Sequence, residues 1–111
     1  MRILVVDNYA PFARSLRLML APEHEAVVCI SGKEALALLS AEKFDRVLCD
    51  LDMPGMSGIE LFHALPESER RMVVFMTGGA QSAAAREFLA TVTNAVLEKP
   101  FRADELRAAL R

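Results

Sequence analysis

A chain of 111 residues has room for one domain with a core of its own, so a single domain over residues 1–111 is expected, without disulfides or a structural metal. Hydrophobic residues make up 53% of it and charged residues 25%, the balance of a globular chain, which excludes a disordered one. A net charge of -2 supplies no global positive field, so direct binding to nucleic acid or to an anionic membrane is not expected.

The opening "MRILVVDNY" is charged by its seventh residue and no apolar run reaches bilayer length, so a cytoplasmic location is expected. A first strand is predicted over 2–6 (RILVV). Pro11 then fits a first helical position, and Phe12, Leu16, Met19 and Leu20 share one face of helix one. A second strand is predicted over 25–30 (EAVVCI). Ser31 and Glu34 have capping-box spacing and open helix two, with Ala35, Leu36 and Leu39 on one side. A third strand covers 45–49 (DRVLC). Ser57 and Glu60 repeat the capping pattern before Ile59, Phe62 and Leu65, and Pro66 stops that helix. A fourth strand is predicted over 72–76 (MVVFM), helix four over 82–92, a short edge strand over 95–98 (AVLE) and helix five over 103–110. The near-continuous apolar runs RILVV, EAVVCI and MVVFM suit strands covered on both faces.

Cys29 and Cys49 lie in apolar segments with no partner at metal or redox spacing, and are expected to be buried, reduced thiols. His24 and His63 are expected at exposed positions, since no motif recruits them.

Five β-α repeats with short connections are most simply solved by a doubly wound α/β domain, a five-stranded parallel sheet with helices on both faces. Ligands of such sheets bind outside the carboxyl ends of the strands. Those ends carry Asp7 and Asn8, Asp50 and Asp52, Thr77, and Lys99. Three carboxylates crowded at one edge would repel unless a cation or proton intervened. Carboxylate, amide and carbonyl oxygens suit magnesium better than zinc. A carboxylate can also attack phosphorus, with Lys99 supplying an ammonium and Thr77 a hydroxyl around the phosphoryl oxygens.

Four segments in order, "ILVVDN", "LCDLDMPGMSGIEL", "VVFMTGG" and "LEKPF", make the chain resemble a response-regulator receiver domain over essentially its full length. The resemblance implies a flavodoxin-like sheet of strand order 2-1-3-4-5. It implies that Asp50 is the phospho-acceptor, that Asp7, Asn8, Asp50 and the Asp52 backbone carbonyl occupy the magnesium positions, and that Thr77 is the switch hydroxyl. Lys99 is then the lysine that pairs with the phosphoryl group, often ahead of a cis prolyl bond, here Lys99-Pro100. The implied partner is a sensor histidine kinase or histidine phosphotransfer protein whose phosphohistidine supplies the group, with an effector protein downstream. Such a chain is a phospho-acceptor and not an enzyme with turnover. "TGGA" and "FLATVTNAVLEKPF" look most like receivers at the C-terminal end of hybrid histidine kinases, which leaves a free-standing chain and an excised domain both open.

Three positions depart from the pattern. Asn8 stands where receivers carry a second acid, and the side chain of Asp52 is expected to restore part of the charge lost there. Val96 stands where many receivers have the Tyr or Phe that follows the switch Thr. Gly78, next to Thr77, preserves access to the phosphoryl position. One rival is a haloacid-dehalogenase-like phosphohydrolase, with Asp50 as nucleophile and Asp52 as acid, for which only Asp104 and Glu105 remain as later metal ligands. A non-phosphorylated pseudo-receiver that binds protein is the other. A nucleotide or flavin module lacks its glycine-rich motif here.

Overall fold

The computed structural model describes residues 1–79 and 82–111. Strands and helices alternate along it: β1 (Arg2–Val6), α1 (Ala10–Leu20), β2 (Glu25–Cys29), α2 (Gly32–Ala41), β3 (Arg46–Asp50), α3 (Gly58–Ala64), β4 (Val73–Thr77), α4 (Ala83–Ala90), β5 (Val96–Glu98) and α5 (Ala103–Ala109). The five strands are parallel, in the order β2-β1-β3-β4-β5. This is the doubly wound α/β fold expected from the pattern.

Successive strand residues point to opposite faces, and that alternation splits the interior in two. Leu4, Val6, Val47, Cys49, Val73 and Phe75 meet Ala35 of α2, Leu61 and Phe62 of α3 and Phe88 of α4. Ile3, Val5, Leu48, Val74, Met76 and Leu97 meet Ala13, Leu16 and Leu20 of α1 and Leu106 of α5. Burial on both sides explains why the central strands read as unbroken apolar runs. For EAVVCI that inference was too strong: β2 is an edge strand and only half-buried along most of its length, whereas DRVLC supplies the central β3. AVLE does form the opposite edge.

Helix ends follow their caps. Ser57 Oγ accepts from Glu60 N–H while the Glu60 carboxylate accepts from Ser57 N–H, a complete capping box. At α2 only the Ser31 half forms. Pro11 occupies the second helical position, after Tyr9 as N-cap, where its missing N–H is equally harmless. α4 ends sooner than expected, in a tightened last turn where both the N–H and the hydroxyl of the C-cap Thr91 donate to Phe88 O, at 2.9 and 2.7 Å. Between Pro66 and β4 the chain makes a 3₁₀ helix over Glu67–Met72, with Glu67 and Glu69 in its first turn, and it takes Met72 from the start of the predicted fourth strand.

β3 and β4 each run one residue further than predicted. Asp50 pairs with Met76 and Thr77 with Glu98, so both polar residues are the last rungs of the sheet and share its rigidity. β5 continues as Lys99 N–H donates to Thr77 O at 2.8 Å, which carries Lys99 to the same edge. The Lys99-Pro100 bond is cis.

Candidate functional site

Three of the strand-end residues form one charged cluster. Asp7 is 0% exposed and Asp50 6%. Lys99 Nζ lies 2.7 Å from Asp7 Oδ2 and 3.3 Å from Asp50 Oδ2. Each carboxylate binds its remaining oxygen the same way, to the backbone N–H two residues on: Tyr9 N–H to Asp7 Oδ1 at 2.9 Å, and Asp52 N–H to Asp50 Oδ1 at 3.1 Å. These local turns fix both carboxyl planes before any ligand arrives.

The balance of charge is uneven, since two buried carboxylates share a single ammonium. Burial holds the Asp50 carboxyl above the usual carboxylate range, and the charge of Asp7 adds to the shift. The Asp52 N–H and Lys99 oppose it. Such a pair is short of positive charge, a feature that suits a cation or an incoming group that brings one.

Thr77, on β4 beside Asp50 on β3, is 1% exposed, and its hydroxyl is the buried side-chain polar atom without a hydrogen-bond partner among the described residues. Burying a hydroxyl unpaired costs free energy unless a ligand completes it. Gly78 leaves open space, with nothing within 4 Å of where a side chain would begin. On the other side the backbone is packed tightly: a Cβ on Gly58 would sit 2.5 Å from the Asp50 carbonyl oxygen. Gly58 N–H instead donates to Leu51 O at 3.1 Å, which seats the start of α3 under the loop.

The expected crowd of three carboxylates is corrected to a pair. Asp52 contributes its N–H, but the residue is exposed, and Asn8 is exposed as well. Among the described residues no group of three or more His, Cys, Asp or Glu is placed to hold a metal ion. The physical reason is the turn after β3: accepting the Asp52 N–H orients Asp50, while Leu51 turns into the core at 2% exposure and Asp52 turns out. Val96 is 40% exposed on β5. Met53 is buried in the core, and Met56 packs where a Cβ on Gly32 would be.

Sequence reasoning missed Phe12 and Phe101. Lys99 Nζ lies 4.5 Å from the Phe12 ring centroid, and the Phe12 ring stacks on Phe101 at 5.8 Å. Helix periodicity marks Phe12 only as a core residue, and no local signal says that a cation will lie on it. The other titratable groups are elsewhere: His63 is exposed, edge-on to Phe62 and Phe88, while His24 is half-buried and not exposed as expected, with Nδ1 3.1 Å from the N-terminal amine. Asp104 and Glu105 are exposed on α5, where Arg102 pairs with both. A concavity of about 890 Å³ lies at the amino ends of β3 and β4 near Phe44, Arg46 and Met72, away from the acid pair.

The class so defined is a doubly wound parallel α/β domain with an acidic cleft at the carboxyl edge of its sheet, where a buried aspartate pair shares a lysine beside a threonine hydroxyl unpartnered among the described residues. The response regulator receiver domain family matches residues 3–111. Transcriptional regulatory protein ResD of Bacillus subtilis is 32% identical over 106 residues, 95% of this chain and 44% of ResD. Virulence sensor protein BvgS of Bordetella pertussis is 35% identical over an alignment of 119 positions, 99% of this chain and 10% of BvgS. The chain thus spans less than half the length of these relatives. Among solved structures, a sensor protein from Polaromonas sp. JS666 superposes with a TM-score of 0.86 at 26% identity, covering 98% of this chain and 91% of that one. Chemotaxis protein CheY4 of Vibrio cholerae gives 0.84 at 26%, covering 98% and 94%. The chain belongs to the response regulator receiver domain family, the phosphorylation-based signalling module of two-component systems.

Proposed function

We propose that this receiver takes a phosphoryl group onto Asp50 from a phosphohistidine of a sensor histidine kinase or histidine phosphotransfer protein in the cytoplasm, and passes the change to an effector protein. In the transfer a phosphorus–nitrogen bond to the donor imidazole breaks as a phosphorus–oxygen bond to Asp50 forms, and the imidazole leaves with the electron pair. The observation that carries the reading is the meeting, at one rigid sheet edge, of a buried Asp50, a shared Lys99 ammonium and the partnerless Thr77 hydroxyl. Lys99 and Thr77 are a cation and a donor with spare capacity, which is what the oxygens of an aspartyl phosphate require.

The donor set fits magnesium, because two buried hard-oxygen carboxylates are left with one ammonium between them. Asp7 and Asp50 would hold the ion, with the amide oxygen of Asn8 and the backbone carbonyl of Asp52 as further donors. A bound magnesium would neutralise charge on the phosphoryl oxygens. The receiver domain of sensor histidine kinase PA1611 from Pseudomonas aeruginosa, 23% identical with a TM-score of 0.84, is described with magnesium coordinated in its active site cleft. Asn8 in place of an acid supports weaker binding here. The chain acts as an acceptor that is modified once per signal, whether it stands alone or forms part of a hybrid kinase. A phosphohydrolase is not supported, since Asp104 and Glu105 are engaged by Arg102 on α5.

Acetyl phosphate with magnesium tests this by intact mass. Wild-type protein is expected to gain one phosphoryl adduct, and Asp50→Asn none. An adduct that persists in Asp50→Asn moves the acceptor elsewhere, and no adduct on the wild type points to a protein-binding pseudo-receiver.

A further inference from the structure

Lys99 reaches into the cleft with a third neighbour besides the two aspartates. Its Nζ lies 4.5 Å from the centroid of the Phe12 ring, within the range where a ring face attracts a cation, and its side chain is only 21% exposed. Phe12 comes from the first turn of α1 and is half-buried. Phe101, two residues beyond Lys99, stacks on the Phe12 ring with 24° between planes. The ring under the ammonium is therefore braced by a second ring from the lysine's own loop. Alternation and helical spacing ask only for an apolar residue at 12, and a leucine would satisfy them, but it would offer the ammonium no quadrupole.

The consequence concerns Lys99 once a cation draws on Asp7. Lys99 then keeps one carboxylate at 3.3 Å and loses the partner at 2.7 Å, and a four-carbon stem left so would sample solvent. We propose that Phe12 is a positioning residue for Lys99, its ring face holding the ammonium in the cleft where a phosphoryl oxygen on Asp50 would meet it. This rests on the reading of Asp50 as phospho-acceptor. Phe12 touches no reacting atom and acts only through Lys99.

Beryllofluoride, which mimics a phosphoryl group on a carboxylate, serves as the probe with magnesium present. Phe12→Leu is expected to weaken its binding about three- to ten-fold, and Phe12→Tyr, which keeps the ring, to restore it. Equal binding by wild type and Phe12→Leu, or equal losses in Leu and Tyr variants, would overturn the proposal. A second measurement needs no phosphoryl mimic. The Lys99 ε-methylene protons should be shifted upfield by the ring current, the shift vanishing in Phe12→Leu, and in urea unfolding Phe12→Leu should cost less in a Lys99→Met chain than in the wild type. An unshifted Lys99, or an equal cost in both backgrounds, shows that the ring merely packs. Wild-type protein that keeps the shift yet takes up no beryllofluoride overturns the phospho-acceptor reading instead.

Discussion

Asp50 ionises less readily in the folded chain than in the unfolded one, because burial strips its water and Asp7 places a second negative charge nearby. A carboxyl raised in this way binds its proton more tightly when folded, so it favours folding in acid and loses that contribution as pH rises through its folded pKa. At neutral pH the ionised Asp50 is thus a net burden on stability. Asp50→Asn is expected to raise the urea midpoint at pH 7, with the advantage shrinking as pH falls through the raised folded pKa and gone below about 4, the ordinary carboxylate range. A lower midpoint at pH 7 would mean that the contact with Lys99 outweighs the burial. Position 50 was legible in the sequence, as were Asp7, Thr77 and Lys99, because a polar residue that ends an apolar strand has no reason in packing to be there. Asp52 was not: its backbone direction is set by the turn that orients Asp50, and turn geometry is not written in residue type alone. Phe12 and Phe101 were hidden for a different reason, since an aromatic at helical spacing looks the same whether it faces a leucine or an ammonium.

At the level of elements, the site depends on how α3 meets the end of β3. Gly55, at φ +79°, turns the loop in a conformation that suits glycine, Ser57 caps the helix, and Gly58 packs against the Asp50 carbonyl. Gly58→Ala would force backbone apart, and about 1–3 kcal/mol of stability should be lost in urea unfolding, with slower phosphorylation because the displaced backbone belongs to Asp50. An unchanged midpoint would show that α3 shifts freely. Caps and apolar runs made the order of elements readable, and the errors fell where tertiary position decides. β2 has the same valine-rich composition as a central strand, yet its place at the edge follows from the crossover order and not from its residues. Residues 67–71 have no hydrophobic period, so nothing in their residue types announces the 3₁₀ helix, and Met72 reads as strand because the apolar run begins with it.

Across the whole molecule the sheet order also settles the thiols. Val6 is the register partner of both Cys29 and Cys49, which places the two cysteines on opposite sides of β1, about 10 Å apart and beyond the reach of a disulfide. Both are free and buried, and burial pushes Cys29 up to about 12 and Cys49 higher still. Folded protein at pH 8 is expected to leave both thiols unlabelled by a disulfide reagent until urea opens the chain. Prompt labelling of the native protein would contradict this burial. The two ends of the sheet are each gathered by one cation. At the amino end Arg2 binds Glu25 and Glu42 and lies over Phe44, all close to solvent, where such pairs add little. At the carboxyl end Lys99 joins residues 92 and 49 positions away in sequence, both of them buried carboxylates that water screens less. One ammonium divided between two aspartates makes their fates reciprocal. Whatever weakens its hold on Asp7 leaves more of it for Asp50, and thermodynamic linkage requires the converse by the same factor. A cation at Asp7 and a phosphoryl group at Asp50 would then favour each other's binding without either having to move a strand.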